Sequence, residues 1–242
     1  EGTLYFWDHV GEKDSESSNI AGHYQSGYIG GYATINLSGR VATYQYVSDQ
    51  DEQYNFKTPG TYIPVGQGFY VGGNSNGGSI TFNNTQREFV GEDGGTNSIF
   101  FKSGKKKEKN STANGRYYNS LPIVKLGMNA LNNNDDKTYH RQIGVSFKEN
   151  NSFGYDNGYD SEMFDTRDTD FYWKFPNDDK NYVIAGVQEF SQDIEVPLEI
   201  VIENTGDIAI MIDEIKNIHS NIYILDKTTG ISHEITEENA NL

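Results

Sequence analysis

Short runs of β-branched and aromatic residues alternate with turn-forming residues along the whole chain, and this pattern limits the fold most strongly. Residues 123–128 and 141–147 alternate apolar and polar side chains, as strands with one buried face do. Comparable runs recur about every 8–12 residues, separated by Gly, Asn, Asp and Ser, which favour turns. This spacing is typical of a β-sandwich, so we predict an all-β, antiparallel, jelly-roll-like domain.

The chain of 242 residues accommodates one large sandwich or two tightly packed halves. Residues 103–116 (SGKKKEKNSTANGR) are polar and densely charged, which is typical of a solvated loop. We predict one β-sandwich module over residues 1–242, with a candidate internal division near residues 103–120. Two hairpins are expected inside it. One joins 61–71 to 79–82 through a Gly/Asn turn, and the other joins 222–226 to 232–235.

The charge and composition of the chain exclude several kinds of protein. Thirty-five acidic and 19 basic residues give a formal net charge of −16. Nucleic-acid binding needs a basic surface, so we predict no nucleic-acid partner. No apolar run approaches the roughly 20 residues of a transmembrane helix, so no membrane insertion is expected. The absence of cysteine excludes disulfides and thiolate metal sites, whereas 17 Tyr and 13 Phe exclude a disordered chain.

The densest group of candidate ligands lies between residues 156 and 170, where five aspartates and one glutamate occur in 15 residues. Such a group requires either a cation or hydrogen-bond donors. Calcium binds about six to eight oxygen atoms, often from carboxylates on loops, although the D-x-D-x-D-G order of an EF-hand is missing. The candidate calcium ligands are Asp156, Asp160, Asp165, Asp168 and Asp170. The alternative is a loop without metal, in which Arg167 and turn-capping hydrogen bonds satisfy the carboxylates.

Signs of catalysis are weak in this sequence. None of the five histidines has the spacing of a zinc motif, and acidic residues are too frequent to select the carboxylate pair of a glycosidase. Exposed aromatic residues such as Trp7 and Trp173 would suit stacking on sugar rings, whereas most aromatics of β proteins belong to the core or to cross-strand pairs. We predict no catalytic residue and no cofactor other than candidate calcium. Two functions that the sequence leaves open are that of a calcium-dependent carbohydrate-binding module and that of an extracellular hydrolase.

Several segments resemble a known group of bacterial proteins. They are residues 2–9 (GTLYFWDH), 30–39 (GGYATINLSG), 62–71 (YIPVGQGFYV) and 221–236 (NIYILDKTTGISHEIT). These segments resemble the C-terminal β-sandwich region of Bacteroidetes, chiefly flavobacterial, surface and secreted proteins. Those proteins are exported by the type IX secretion system and include gliding-motility adhesins.

The resemblance implies a non-catalytic module located outside the cell or on its outer surface, with a role in adhesion or as a stalk. In that family a C-terminal sorting domain follows, so a sorting domain is expected beyond residue 242. The implied partners are the type IX secretion machinery, through the sorting domain, and surface polysaccharides or other cell-surface proteins. The resemblance identifies no functional residue in this sequence.

Overall fold

The computed structural model describes residues 2–9, 30–46, 57–73, 76–90, 98–101, 120–132, 137–203, 207–236 and 240–241. These residues form an all-β fold, and the predicted all-β, sandwich-like class is confirmed. The strands are β1 Leu4–His9, β2 Gly30–Ile35, β3 Arg40–Val41, β4 Gln45–Tyr46, β5 Ile123–Asn132, β6 Lys137–Phe147, β7 Ser161–Glu162, β8 Asp170–Trp173, β9 Tyr182–Val187, β10 Leu198–Val201, β11 Ala209–Lys216, β12 Ile222–Asp226, β13 Ile231–Ile235 and β14 Ala240–Asn241. The helical structure in the described residues is one 3-10 turn, Asn84–Gln86.

A nine-stranded sheet organises the fold. Its order is β10-β8-β9-β6-β5-β11-β14, with β4 beside β6 and β7 beside β9. The strands β5 and β6 form a long antiparallel pair from Ile123↔Ser146 to Asn132↔Lys137. However, β6 and β9 run parallel, so the sheet is mixed and not purely antiparallel. Parallel neighbours need a long crossover, and here the chain forms β7 and β8 before it returns as β9.

The main core lies against this large sheet. All six residues of β9 are buried, as expected for a central strand covered on both faces. The apolar core side chains include Val124, Leu126, Met128, Ile143, Val145, Phe171, Val183, Ala185, Val187, Ile210 and Ile212. Arg141 of β6 is fully buried among these side chains. It lies on the same face of β6 as Tyr139 and Ile143, which are also buried.

A three-stranded sheet, β1-β2-β3, packs on the large sheet where glycines leave room. A Cβ atom on Gly144 would lie 3.3 Å from Val41 Cγ1 of β3. A Cβ atom on Gly186 would lie 2.7 Å from Ser38 Oγ, so a larger residue at position 186 would force neighbouring atoms to move. The two sheets therefore approach closely because these strand positions carry no side chain.

One predicted hairpin is confirmed and the other is wrong. The strands β12 and β13 pair from Ile222↔Ile235 to Asp226↔Ile231, and Gly230 closes their turn at a φ of 73°. Residues 79–82 form no strand, and Ile80 and Phe82 are 59% and 71% exposed. Tyr70 bridges Tyr5 of β1 instead. The alternating pattern indicated extended backbone there but did not identify its partner.

One strand lies inside the acidic segment 156–170, which the sequence predicted to be a loop, and a second strand begins at the last residue of that segment. Ser161–Glu162 forms β7, and Asp170, the last residue of the segment, is the first residue of β8. The candidate division near residues 103–120 falls almost wholly outside the described residues. In the described part of the chain, no helix is long and apolar enough to cross a membrane.

Candidate functional site

The first two acidic residues of the segment 156–170 are bound by backbone and hydroxyl donors. Asp160 is buried, and its carboxylate accepts hydrogen bonds from the backbone N–H of Gly186, at 2.7 Å, and from that of Asp156. Asp156 in turn accepts hydrogen bonds from the backbone N–H and the hydroxyl of Ser152, at 2.6 and 3.2 Å. Burial raises the pKa of Asp160 to about 7, although the two N–H donors oppose this rise.

Asp165 and Asp170 surround the buried side chain of Arg141. Asp170 accepts from Arg141 Nε at 3.0 Å and from Nη2 at 2.8 Å, a bidentate arrangement. Asp165 accepts from Nη1 at 3.2 Å through its carboxylate and from Nη2 at 2.8 Å through its backbone carbonyl. Burial alone would lower the pKa of Arg141, but the two carboxylates raise it above its ordinary value, so the guanidinium stays charged.

The calcium prediction has no direct test in this geometry and stays a prediction. Asp168 is exposed, and the other four aspartates each accept hydrogen bonds from protein donors. Among the described residues, no group of three or more His, Asp or Glu side chains converges as metal ligands. The hydrogen bonds fit the alternative of a loop without metal, with Arg141 as the main source of positive charge.

Arg167 contacts an aspartate of the segment through its backbone N–H. Its backbone N–H donates to Asp170 Oδ2 at 2.9 Å, while its guanidinium lies over the rings of Tyr44 and Tyr139, at 4.4 and 4.7 Å. Arg141, which sequence reasoning missed, is the residue that joins Asp165 to Asp170. One signal was present in the sequence, because a charged residue in phase with Tyr139 and Ile143 on a strand must find a buried partner.

An aromatic cluster, comprising Tyr5, Trp7, Tyr32, Tyr70 and Phe164, lies on one face of the small sheet. Trp7 and Tyr32 pair directly across β1 and β2, and their ring centroids are 5.3 Å apart at 75°. Tyr70 lies 5.6 Å from Tyr32 at 84°. Phe164 packs on Tyr5 at 5.0 Å. The cluster therefore draws on segments that are distant in the sequence.

Three rings of the aromatic cluster are open to solvent. Trp7 is 37% exposed, Tyr70 is 62% exposed and Phe164 is 56% exposed, whereas Tyr5 is buried. Exposed aromatic neighbours are unusual, because large apolar groups normally gain free energy from burial.

The backbone under the aromatic cluster is fixed on two sides. Tyr5 and Tyr70 exchange two backbone hydrogen bonds, at 3.0 and 2.8 Å. Asp165 Oδ2 accepts from the backbone N–H of Tyr32 at 3.0 Å, which connects the cluster to the charged centre at Arg141. Burial, Tyr70 and Asp165 together raise the pKa of Tyr32.

The two tryptophans named as sugar-stacking candidates occupy different environments. Trp7 is in the aromatic cluster, whereas Trp173 is a buried core residue whose Nε1 donates to the carbonyl of Gly144 at 2.8 Å. The stacking hypothesis is therefore wrong for Trp173, because its ring faces are covered by the core. It stays open for Trp7.

His140 takes part in a polar network on the large sheet. Its Nδ1 lies 2.8 Å from Asn129 Oδ1, and its Nε2 lies 3.0 Å from Asp213 Oδ2. Gln142 Nε2 also donates to Asp213 Oδ2, at 2.6 Å. The imidazole and carboxylate resemble part of a catalytic dyad, but both ring nitrogens of His140 already contact partners. These hydrogen bonds connect β5, β6 and β11, the strands that carry the four side chains.

Comparison with known proteins identifies the family of this chain. Searches of curated proteins and of solved structures found no match. A family model described as "Domain of unknown function (DUF8693)" matches residues 1–241. Because the match covers nearly the whole sequence, this chain belongs to the DUF8693 family.

Proposed function

We propose that the chain is a non-catalytic binding module of a cell-surface or secreted protein and that it acts in adhesion. The observation that carries this proposal is the aromatic cluster, in which Trp7, Tyr70 and Phe164 stay exposed on a hydrogen-bonded sheet. Exposed groups of aromatic side chains characteristically mark interaction sites. A binding role accounts for aromatic side chains that contribute less to stability than buried ones would.

The rigidity of the aromatic cluster supports the same proposal. Trp7 and Tyr32 are opposed across a strand pair, and Phe164 is positioned by the neighbouring Asp165 through the Arg141 ion pair. A preorganised surface loses little conformational entropy on binding, which favours affinity.

The proposed location and partners depend on the sequence resemblance alone. We propose that the parent protein is cargo of the type IX secretion system, and that the type IX machinery and surface polysaccharides or proteins are its partners. The absence of cysteine and the net charge of −16 are compatible with this assignment. Deleting the secretion system in the native host and locating the parent protein would test it. Undiminished surface display in that strain would contradict it.

Adhesion can be measured with the chain immobilised on fluorescent beads. Beads carrying the native chain are expected to bind intact flavobacterial cells, and binding is expected to fall in the Trp7→Ala and Tyr70→Ala variants. Phe89→Ala is the matched control, because Phe89 is 98% exposed and lies outside the aromatic cluster. Equal binding by all four proteins, or none by the native chain, would refute the proposal.

A further inference from the structure

We propose that the aromatic cluster binds a neutral pyranose sugar by ring stacking, without a metal ion. This inference rests on the proposed binding function and specifies its ligand. Trp7 and Tyr70 would provide the stacking surfaces, and Phe164 would border the site.

None of the ring–ring contacts within the aromatic cluster is a face-to-face stack. Tyr32 meets Trp7 at 75° and Tyr70 at 84°, so neither exposed ring is stacked face to face on it. Phe164 is tilted by 57° against Tyr5. An incoming flat, partly apolar ring therefore does not have to displace an existing parallel stack among these contacts.

The chemistry of the exposed side chains matches a sugar ring. A pyranose has an apolar face of C–H groups and a polar rim of hydroxyls. Trp and Tyr have the same division, with an apolar ring and an N–H or O–H group at one end. Trp7 and Tyr70 can thus pack against the C–H face while their polar ends bind rim hydroxyls.

The charge of the chain selects against anionic ligands. The formal net charge of the chain is −16. A uronate, sulfated sugar or phosphate would be repelled by this field. A neutral sugar carries no such penalty.

The size of the aromatic cluster favours a sugar over a folded protein. A stable protein interface buries roughly 800 Å² on each partner and involves about 20–30 residues a side. The cluster offers three exposed rings, which fit one or a few sugar units. The carboxylate of Asp165, which supports the cluster, is bound to Arg141 and to the Tyr32 N–H, and stacking on aromatic rings needs no metal ion.

Tryptophan fluorescence gives a direct test, because Trp7 is exposed and Trp173 is buried. The probes are cello-, xylo-, manno- and laminari-oligosaccharides at millimolar concentration, with oligogalacturonate as the anionic control. We expect at least one neutral oligosaccharide to shift the emission of Trp7, with the same affinity in EDTA and in calcium. Oligogalacturonate is expected to cause no shift.

Variants define the site of binding. Trp7→Ala and Tyr70→Ala are expected to lower affinity by about tenfold or more in calorimetry, an effect like that of removing an aromatic ring from under a stacked nucleobase. Phe89→Ala is expected to leave affinity unchanged, and urea unfolding verifies that each variant is folded. Binding by Trp7→Ala and Tyr70→Ala at native affinity, or a response that disappears in EDTA, would overturn the proposal.

The adhesion proposal and the sugar-binding inference can be refuted separately. If the native chain binds cells through Trp7 but no neutral oligosaccharide binds, the sugar inference is refuted and the adhesion proposal stands. Cell binding that resists periodate oxidation of glycans but is abolished by protease would likewise refute the sugar inference, and it would identify a protein partner. Failure of both cell and sugar binding refutes both proposals.

Discussion

Arg141 of β6 holds Asp170 of β8 in a bidentate pair, with Nε to Oδ1 at 3.0 Å and Nη2 to Oδ2 at 2.8 Å. Both side chains are fully buried. The same guanidinium also binds Asp165, whose second carboxylate oxygen accepts from the Tyr32 N–H of the small sheet. One buried cation thus ties the large sheet to the segment that supports the aromatic cluster.

Replacing Arg141 with methionine should therefore strongly destabilise the fold. The substitution leaves two carboxylates without their counterion, a change that typically costs about 3–5 kcal/mol. Arg141→Lys should recover only part of this loss, because lysine cannot form the bidentate pair. Urea unfolding measures both effects.

The matched control for this charge network is the triple variant Arg141→Met, Asp165→Asn, Asp170→Asn. Removing the uncompensated charges should restore part of the stability lost in Arg141→Met. If the urea midpoint of Arg141→Met equals that of the native chain, the ion pairs contribute nothing measurable to the free energy of unfolding.

Calcium should have no effect on stability if the acidic segment is a loop without metal. Asp165 and Asp170 are engaged by Arg141, and Asp160 by backbone N–H groups. We expect equal melting temperatures in EDTA and in millimolar calcium, and no effect of Asp168→Ala, whose side chain is exposed. A calcium-dependent rise that is lost in Asp168→Ala would establish the metal site instead.

Gly127 should not tolerate a side chain. A Cβ atom there would lie 2.7 Å from His140 Nε2 and even closer to Asp213 Oδ1. Gly127→Ala should disturb the His140 network and destabilise the chain by about 1–3 kcal/mol, as overpacking does. Gly78→Ala is the control, because a Cβ at Gly78 would meet nothing within 4 Å. Equal unfolding midpoints would show that the network moves aside freely.

Much of the strand content was predictable from local pattern. The predicted strand 141–147 lies within β6 and ends at the same residue, and the final hairpin differs from prediction by one residue at the start of β13. These segments have strong apolar patterns, and Gly230 supplies the left-handed turn conformation. Short-range chemistry was sufficient for them.

The functional features depend on contacts between distant residues, which one sequence does not reveal. The strand β8 begins at Asp170, a residue with poor strand propensity, and it forms there because Arg141 compensates the buried carboxylate. Trp7 is a neighbour of Tyr32 because β1 pairs with β2, and Tyr70 is a neighbour of Tyr32 because residue 70 bridges Tyr5 of β1. Composition indicated exposed aromatics but did not indicate which ones assemble.

The stability of the chain should fall as the pH rises through the range where Asp160 titrates. Burial raises the pKa of Asp160 in the folded chain from 3.8 to about 7, and Asp156 and Asp178 add to the rise. Between pH 3.8 and about pH 7 the Asp160 carboxyl is protonated in the folded chain and loses its proton on unfolding. The contribution of this group to the free energy of unfolding is therefore complete below about pH 4, and it decreases as the pH rises until it is lost above about pH 7.

The expected loss from this group is about 2–3 kcal/mol between about pH 5 and pH 8. Asp160→Asn removes the titrating group, so urea unfolding of the native chain minus that of the variant isolates its contribution from those of the histidines. The variant itself should be less stable, because an amide nitrogen replaces one of the two acceptors that bind Gly186 and Asp156. The decisive quantity is therefore the pH slope. A difference that stays constant with pH would mean that the two N–H donors keep Asp160 ionised in spite of its burial.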